Sequence, residues 1–294
     1  MPTKAIYGVL GYPVKHSLSP LMHQAALDHF HINAEYKFFE KTPEELDDFM
    51  AKLRENNIRG FNVTIPYKER IMQYIDDYKQ RDAKYPDYRN VVQGIGAVNT
   101  VIVKDDGKLE GRNTDYDGFY KHLLALRIKP GNVAVIGAGG ASRAICFALA
   151  LKAPSKKKVR VYDIDSNKSR DLMENLKRFF PEIEFFVAKS IEDLQIEQSE
   201  LLVNASPVGM KKDDPCLVEG SLLNKNVFVY DLIYNPPETK LLQLAKAKGC
   251  RYVNGLELLL YQGASSFKHF TGKEADLEIL KIMRKALKEG VEKL

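Results

Sequence analysis

A chain of 294 residues, 45% hydrophobic and 28% charged, is long enough for two ordinary domains with real cores. Its net charge of +5 is dispersed along the chain, which suits an anionic small molecule and gives no reason to expect nucleic acid. No apolar run is long enough to span a membrane and the N-terminus lacks a signal-peptide pattern, so a cytoplasmic location is expected; the three cysteines, Cys146, Cys216 and Cys250, form no CxxC and fit a reduced compartment.

The first hundred residues alternate strands with helices. Residues 5–12 read as a buried strand. Ser19 and Pro20 then open a helix, with Ser19 as N-cap and Pro20 at the first helical position. Residues 34–41 are a second strand. Thr42 and Glu45 form a capping box ahead of Leu46, Phe49, Met50 and Leu53, which repeat at helical spacing. GFNVTIP (60–66) is a third strand, ended by its proline. A long charged, tyrosine-rich segment, 76–93, precedes a hairpin predicted about Asp106 and Gly107. From Tyr116 a helix leads into six segments at doubly wound spacing: VAVIG, KVRVYD, IEFFVAK, LLVNAS, VFVYDLIY and RYVNG. After Gly255 two helical stretches remain with no strand to feed, so they are expected to return to the first domain. The predicted architecture is α/β. It has a substrate domain (1–115, completed by 256–294) and a Rossmann-type doubly wound domain (116–255).

The stretch 135–145, VIGAGGASRAI, carries the clearest chemistry. An apolar strand runs into Gly137, Gly139 and Gly140, and a small-residue helix follows at once. Glycines let a backbone approach a pyrophosphate, and the helix turns its free N–H groups and positive dipole end toward the charge. Ser142 stands where the common fingerprint has a third glycine or alanine; a tight strand–helix turn without a ligand is the alternative. Asp163 ends the next strand at the distance where an acid meets a ribose 2′-hydroxyl. There it would repel a 2′-phosphate and favour NAD. A helix cap or turn is its alternative role.

Polar clusters stand at other strand ends, where open α/β sheets place ligands: Ser17 and Ser19; Asn62, Thr64 and Lys68; Asn99; and Asn113, Thr114 and Asp115. Together they suit a small polyhydroxylated, anionic ligand. Each has a plainer reading: Ser19 as a cap, Thr114 or Asp115 as the cap of the helix from Tyr116, Lys68 as a solvated lysine, Asn99 in a turn.

SLSPLMH, FNVTIPYK, GAVNT, NTDYDG, GAGGASRA, NASPVGM, YDLIYNPPET and NGLELLLYQGASSF occur in this order over nearly the whole chain. They resemble the successive signatures of the shikimate dehydrogenase family, including its quinate/shikimate dehydrogenase branch. The resemblance implies reversible hydride transfer between C3 of shikimate and a nicotinamide, giving 3-dehydroshikimate. It implies Lys68 and Asp115 as the catalytic pair. Ser17 and Ser19 would serve the substrate carboxylate, Thr64, Asn99 and Gln262 its ring hydroxyls, and Tyr234 would stand near the carboxylate. By the same comparison Gly137, Ala138, Gly139, Gly140, Ala141, Ser142, Asn204, Ala205, Ser206, Leu232 and Gly255 line the cofactor groove; Asp163, by its spacing, and Lys168, at the second arginine position, are counted with them as cofactor-binding.

NADP-linked members carry an Asn-Arg-Thr run and a further Arg after the second strand. Here the arginine positions hold Ile164 and Lys168, and an isoleucine neither stacks on adenine as guanidinium does nor binds phosphate bidentately. With Asp163, this leads to an expectation of NAD over NADP. Shikimate is the expected substrate, with quinate left open as a second. The alternatives are a non-catalytic nucleotide-sensing regulator and a dehydrogenase for a different polyhydroxy acid. An intact Lys68–Asp115 pair argues against the first, and the NVTIPYK and NTDYDG pair against the second. No metal is expected, since the six histidines show no zinc spacing. A small molecule is the expected partner, with no nucleic acid and no membrane; a homodimer is left open.

Overall fold

A computed structural model describes residues 4–77, 91–151, 158–274 and 276–293. Most of the charged segment 76–93 falls outside them. The chain runs through β1 (Ala5–Gly11), α1 (Ser19–His29), β2 (Ala34–Glu40), α2 (Leu46–Ala51), β3 (Ile58–Val63), α3 (Val91–Ile95), β4 (Thr100–Val103) and β5 (Leu109–Arg112). It continues through α4 (Asp115–Ala125), β6 (Asn132–Ile136), α5 (Gly140–Leu151), β7 (Lys158–Tyr162), α6 (Ser166–Phe179) and β8 (Glu184–Val187). Then come β9 (Leu201–Asn204), β10 (Phe228–Asp231), α7 (Lys240–Ala247), β11 (Tyr252–Val253), α8 (Leu256–Thr271) and α9 (Leu277–Val291). No helix among the described residues is long and apolar enough to cross a membrane.

Two compact units result, Met1–Gly118 with Leu259–Leu294, and Phe119–Leu258. The first is built on a five-stranded sheet of order β2-β1-β3-β4-β5. Its first three strands are parallel and the β3–β4 and β4–β5 pairs antiparallel. β1 is apolar throughout because parallel strands are covered on both faces. Leu10, Phe61 and Val101 from adjacent strands meet Leu46 and Phe49 of α2 and Ile71 in one core. α9 returns to pack on α1, burying Ile279, Met283 and Leu287.

The second unit holds a six-stranded, wholly parallel sheet of order β11-β10-β9-β6-β7-β8. This is the doubly wound order, with the topological switch point between β6 and β9. All six expected segments form strands. Ala134, Ile136, Leu202, Val229, Leu241 and Ala245 build one face of its core.

The caps differ in detail from the expectation. Ser19 is the first residue of α1 and its side chain caps nothing; its N–H goes instead to Ser17 Oγ at 3.2 Å. α4 is capped by Asn113, whose Oδ1 accepts from the N–H groups of Asp115 (3.0 Å) and Tyr116 (3.4 Å). That leaves the side chains of Thr114 and Asp115 available for other work.

Candidate functional site

In the first unit, the carboxyl ends of β1 and β3 deliver two of the predicted clusters. β1 leads to Ser17, half-buried, and Ser19, buried. β3 leads to Thr64, whose N–H is held by the Leu10 carbonyl at 2.9 Å. Four residues on, the backbone carbonyl of Lys68 accepts from Val98 N–H at 2.7 Å. That bond ties the lysine to the segment preceding Asn99. The N-terminus of α4 brings Thr114 and Asp115, and α8 brings Gln262.

Five of these residues make one polar cluster. Lys68 Nζ lies 2.7 Å from Asp115 Oδ2, with side chains only 15% and 9% exposed. The other carboxylate oxygen, Oδ1, accepts from Asn99 Nδ2 at 2.8 Å. Asn99 Nδ2 also lies 3.0 Å from Thr114 Oγ1 and 3.3 Å from Gln262 Oε1. Asn99 Oδ1 takes the backbone N–H of Thr114 at 2.7 Å. Gln262 is anchored by its Nε2, which donates to the Leu259 carbonyl at 2.9 Å. An ammonium held against a carboxylate, ringed by amides and hydroxyls, can pass a proton to an oxygen placed beside it and hydrogen-bond the neighbouring hydroxyls. Ser17, Ser19 and Thr64 do not bond directly to this cluster.

A second set of polar groups lies behind it. Asn62, Thr100, Tyr36 and Ser266 are all buried and hydrogen-bonded to one another. Tyr36, Thr100 and Ser266 escaped the sequence reading. Each falls on the core-facing side of its strand or helix, and that is the signal that would have found them: a polar residue at a buried position needs a partner.

In the second unit, most of the remaining predicted residues stand at or just beyond the carboxyl ends of β6, β9 and β10. Gly137 adopts φ +101°, and a Cβ there would lie 2.8 Å from the Ala205 carbonyl oxygen. Gly139 faces open space, with nothing within 4 Å of where a Cβ would stand, and Gly140 and Ala141 begin α5. Open room in front of a helix N-terminus fits the pyrophosphate of a dinucleotide. Asn204 is fully buried and builds the next loop. Its Oδ1 accepts from Ser206 N–H (3.0 Å) and Oγ (2.7 Å), while its Nδ2 donates to Asp231 (3.0 Å). Burial pushes the Asp231 carboxyl above its usual range, against the donors from Thr239, Ile233 and Asn204. Leu232 N–H is held by the Asn204 carbonyl at 2.9 Å. Gly255 passes so close to Leu232 that a Cβ would come within 1.9 Å of its carbonyl oxygen. Tyr234 is half-buried three residues beyond β10. Lys168 is exposed in the first turn of α6. No group of three or more metal-ligating side chains occurs among the described residues.

Comparison with known proteins identifies the lineage. The model of the shikimate dehydrogenase substrate-binding domain matches residues 9–101, and that of the shikimate 5′-dehydrogenase C-terminal domain matches residues 255–288. Shikimate dehydrogenase (NADP(+)) of Caldanaerobacter subterraneus is 36% identical over 95% of this chain and 95% of its own. A Thermus thermophilus shikimate 5-dehydrogenase solved with NADP(H) and shikimate is 32% identical with a TM-score of 0.80, covering 97% of this chain and 99% of that one. Quinate dehydrogenase of Corynebacterium glutamicum, solved with NAD, is 27% identical with a TM-score of 0.82 over 97% and 99%.

These relatives correct the expectation of NAD over NADP. Curated relatives between 36% and 39% identical are named as NADP(+) enzymes. The structure gives Asp163 a role that its position in the sequence did not reveal. Its Oδ2 accepts the Ala138 N–H at 2.7 Å and its Oδ1 the Asp165 N–H at 2.9 Å. The carboxylate is occupied in bracing the glycine turn.

Proposed function

Because the chain belongs to the shikimate dehydrogenase family, we propose that it interconverts shikimate and 3-dehydroshikimate with NADP as the hydride carrier. The observation that carries this reading is the Lys68–Asp115 contact of 2.7 Å inside a ring of Asn99, Thr114 and Gln262.

Removing hydride from a carbinol carbon requires its hydroxyl proton to leave. Lys68, as the amine, takes that proton; in the reverse direction its ammonium returns it to the carbonyl oxygen. Asp115 holds Lys68 by an ion pair in a nearly buried setting, where such pairing orients strongly. Asn99 and Gln262 have the amide groups to hydrogen-bond a ring hydroxyl beside the reacting one. Ser17, Ser19 and Tyr234 are assigned to the substrate carboxylate. When bound, the nicotinamide supplies or accepts the hydride. Gly137 to Ala141 and the α5 N-terminus would hold its pyrophosphate, and the loop built by Asn204 and Ser206, with Leu232 and Gly255, would line its groove. Lys168 is the cation assigned to the 2′-phosphate.

Initial rates with shikimate and NADP, before and after Lys68→Ala, test the proposal. The wild type should turn over, and the variant should lose on the order of 10²- to 10⁴-fold in kcat with little change in substrate KM. Near-normal kcat in the variant would refute the catalytic pair. No wild-type turnover would refute the substrate. Quinate, the substrate named for a structural neighbour, belongs in the same assay.

A further inference from the structure

The hydrogen bonds behind Asn99 run in one direction. Tyr36, on β2, donates its hydroxyl to Asn62 Oδ1 at 2.7 Å. Asn62, on β3, donates from Nδ2 to the Thr100 hydroxyl oxygen at 3.1 Å and to the Asn99 carbonyl at 3.2 Å. Thr100, directly across the antiparallel pair from Asn62, donates in turn to Asn99 Oδ1 at 3.0 Å. The opposite end of the Asn99 amide then faces Asp115.

An asparagine side chain has nearly the same shape either way round, so its hydrogen bonds alone decide which end points where. Reversed, Asn99 would set a carbonyl oxygen against the Asp115 carboxylate. Each donor upstream removes one such freedom. The Asn99 carbonyl, which only accepts, fixes the Nδ2 end of Asn62, Tyr36 satisfies its Oδ1, and Asn62 fills an acceptor site on Thr100, leaving the Thr100 proton for Asn99 Oδ1 at 3.0 Å or Thr114 Oγ1 at 3.4 Å. Ser266 of α8 adds a weaker bond to Asn62 Oδ1 at 3.4 Å. The head of the chain is rigid, since the His23 ring stacks on Tyr36 at 4.3 Å and 3°. Burial holds the Tyr36 hydroxyl well above its usual pKa, so it remains a donor.

We propose that Tyr36, Asn62 and Thr100 form a positioning relay that, together with the Thr114 N–H, holds the Nδ2 end of the Asn99 amide toward Asp115 and a bound substrate. Its kinetic consequence rests on the function proposed above. Thr114 also holds Asn99 Oδ1, by its N–H at 2.7 Å and its hydroxyl at 3.2 Å, so breaking the relay weakens the arrangement without abolishing it.

Thr100→Val, which removes the hydroxyl and keeps the shape, is the decisive variant. Its kcat with shikimate should fall about tenfold, with the KM for NADP unchanged and Thr100→Ser restoring the rate. In an Asn99→Ala background the same substitution should have no further effect, because it acts through Asn99. A Thr100→Val kcat within about twofold of wild type would overturn the relay, as would a full additional loss in the Asn99→Ala background. Should Thr100→Val fail to fold, Tyr36→Phe enters the same cycle. The side-chain amide signals of Asn99 in 15N NMR read the relay without turnover. Thr100→Val should shift them, and unchanged signals would refute the relay. Absence of wild-type shikimate turnover would instead refute the function and leave the NMR readout to decide the relay.

Discussion

His23 shows how one residue can tie stability to pH. It is wholly buried against Tyr36, and burial pushes its pKa down from 6.5 to about 3. The unfolded chain takes up this proton near pH 6.5 while the folded chain refuses it. Between these values the unfolded state binds more protons, so stability falls as pH falls, by about 1.4 kcal/mol per pH unit at most. Denaturation midpoints at pH 6.5 and pH 5 should separate by more in the wild type than in His23→Phe, which has nothing to protonate. Equal pH slopes would remove His23 from the account. The residue scale also shows what a motif can carry. Lys68, Asn99, Asp115 and Gln262 each stand in a recognisable signature, and the fold brings them within hydrogen-bond reach. Thr100 ends the GAVNT signature yet was given no role there, because that role depends on lying opposite Asn62, a register set by strand pairing.

At the scale of elements, the turn between β6 and α5 is braced from β7. Asp163 accepts the Ala138 N–H across a separation of 25 residues. Removing that carboxylate leaves a buried N–H without its acceptor, at a cost of about 1–3 kcal/mol. Asp163→Ala should therefore lower the denaturation midpoint without improving the KM for NADP. A markedly lower KM for NADP would restore the repulsion argument. Gly255 is the other tight point. Its close approach to Leu232 leaves no room for a methyl group, so Gly255→Ala should cost about 1–3 kcal/mol or more by overpacking, seen in urea denaturation. An unchanged midpoint would show that the β10 and β11 ends can part freely. The glycine spacing announced a nucleotide turn from sequence alone; the bracing acid looked like a specificity determinant because its partner was out of view.

At the scale of the whole molecule, the chain leaves its first unit at Gly118 and comes back at Leu259. The return is held by an apolar stripe on α9, where Ile279, Met283 and Leu287 are at most 1% exposed. At about 1.5–3 kcal/mol each, their burial contributes on the order of 5 kcal/mol, comparable to a domain's net stability. A chain ending at Asp276 should lose the cooperative unfolding of the first unit, measured by calorimetry or urea denaturation. An unchanged first transition would mean that α1 needs no cover. Most strands and helices, the doubly wound class of the second domain and the polar residues at strand ends were legible in the amino-acid order. These follow from periodicity, glycine placement and capping, which act over a few neighbouring residues. The strand order, the hydrogen bonds behind Asn99 and the partners of the Asp163 carboxylate came from the folded chain alone. A polar group takes its role from the partner that meets it, and those partners arrive from strands and helices far along the chain.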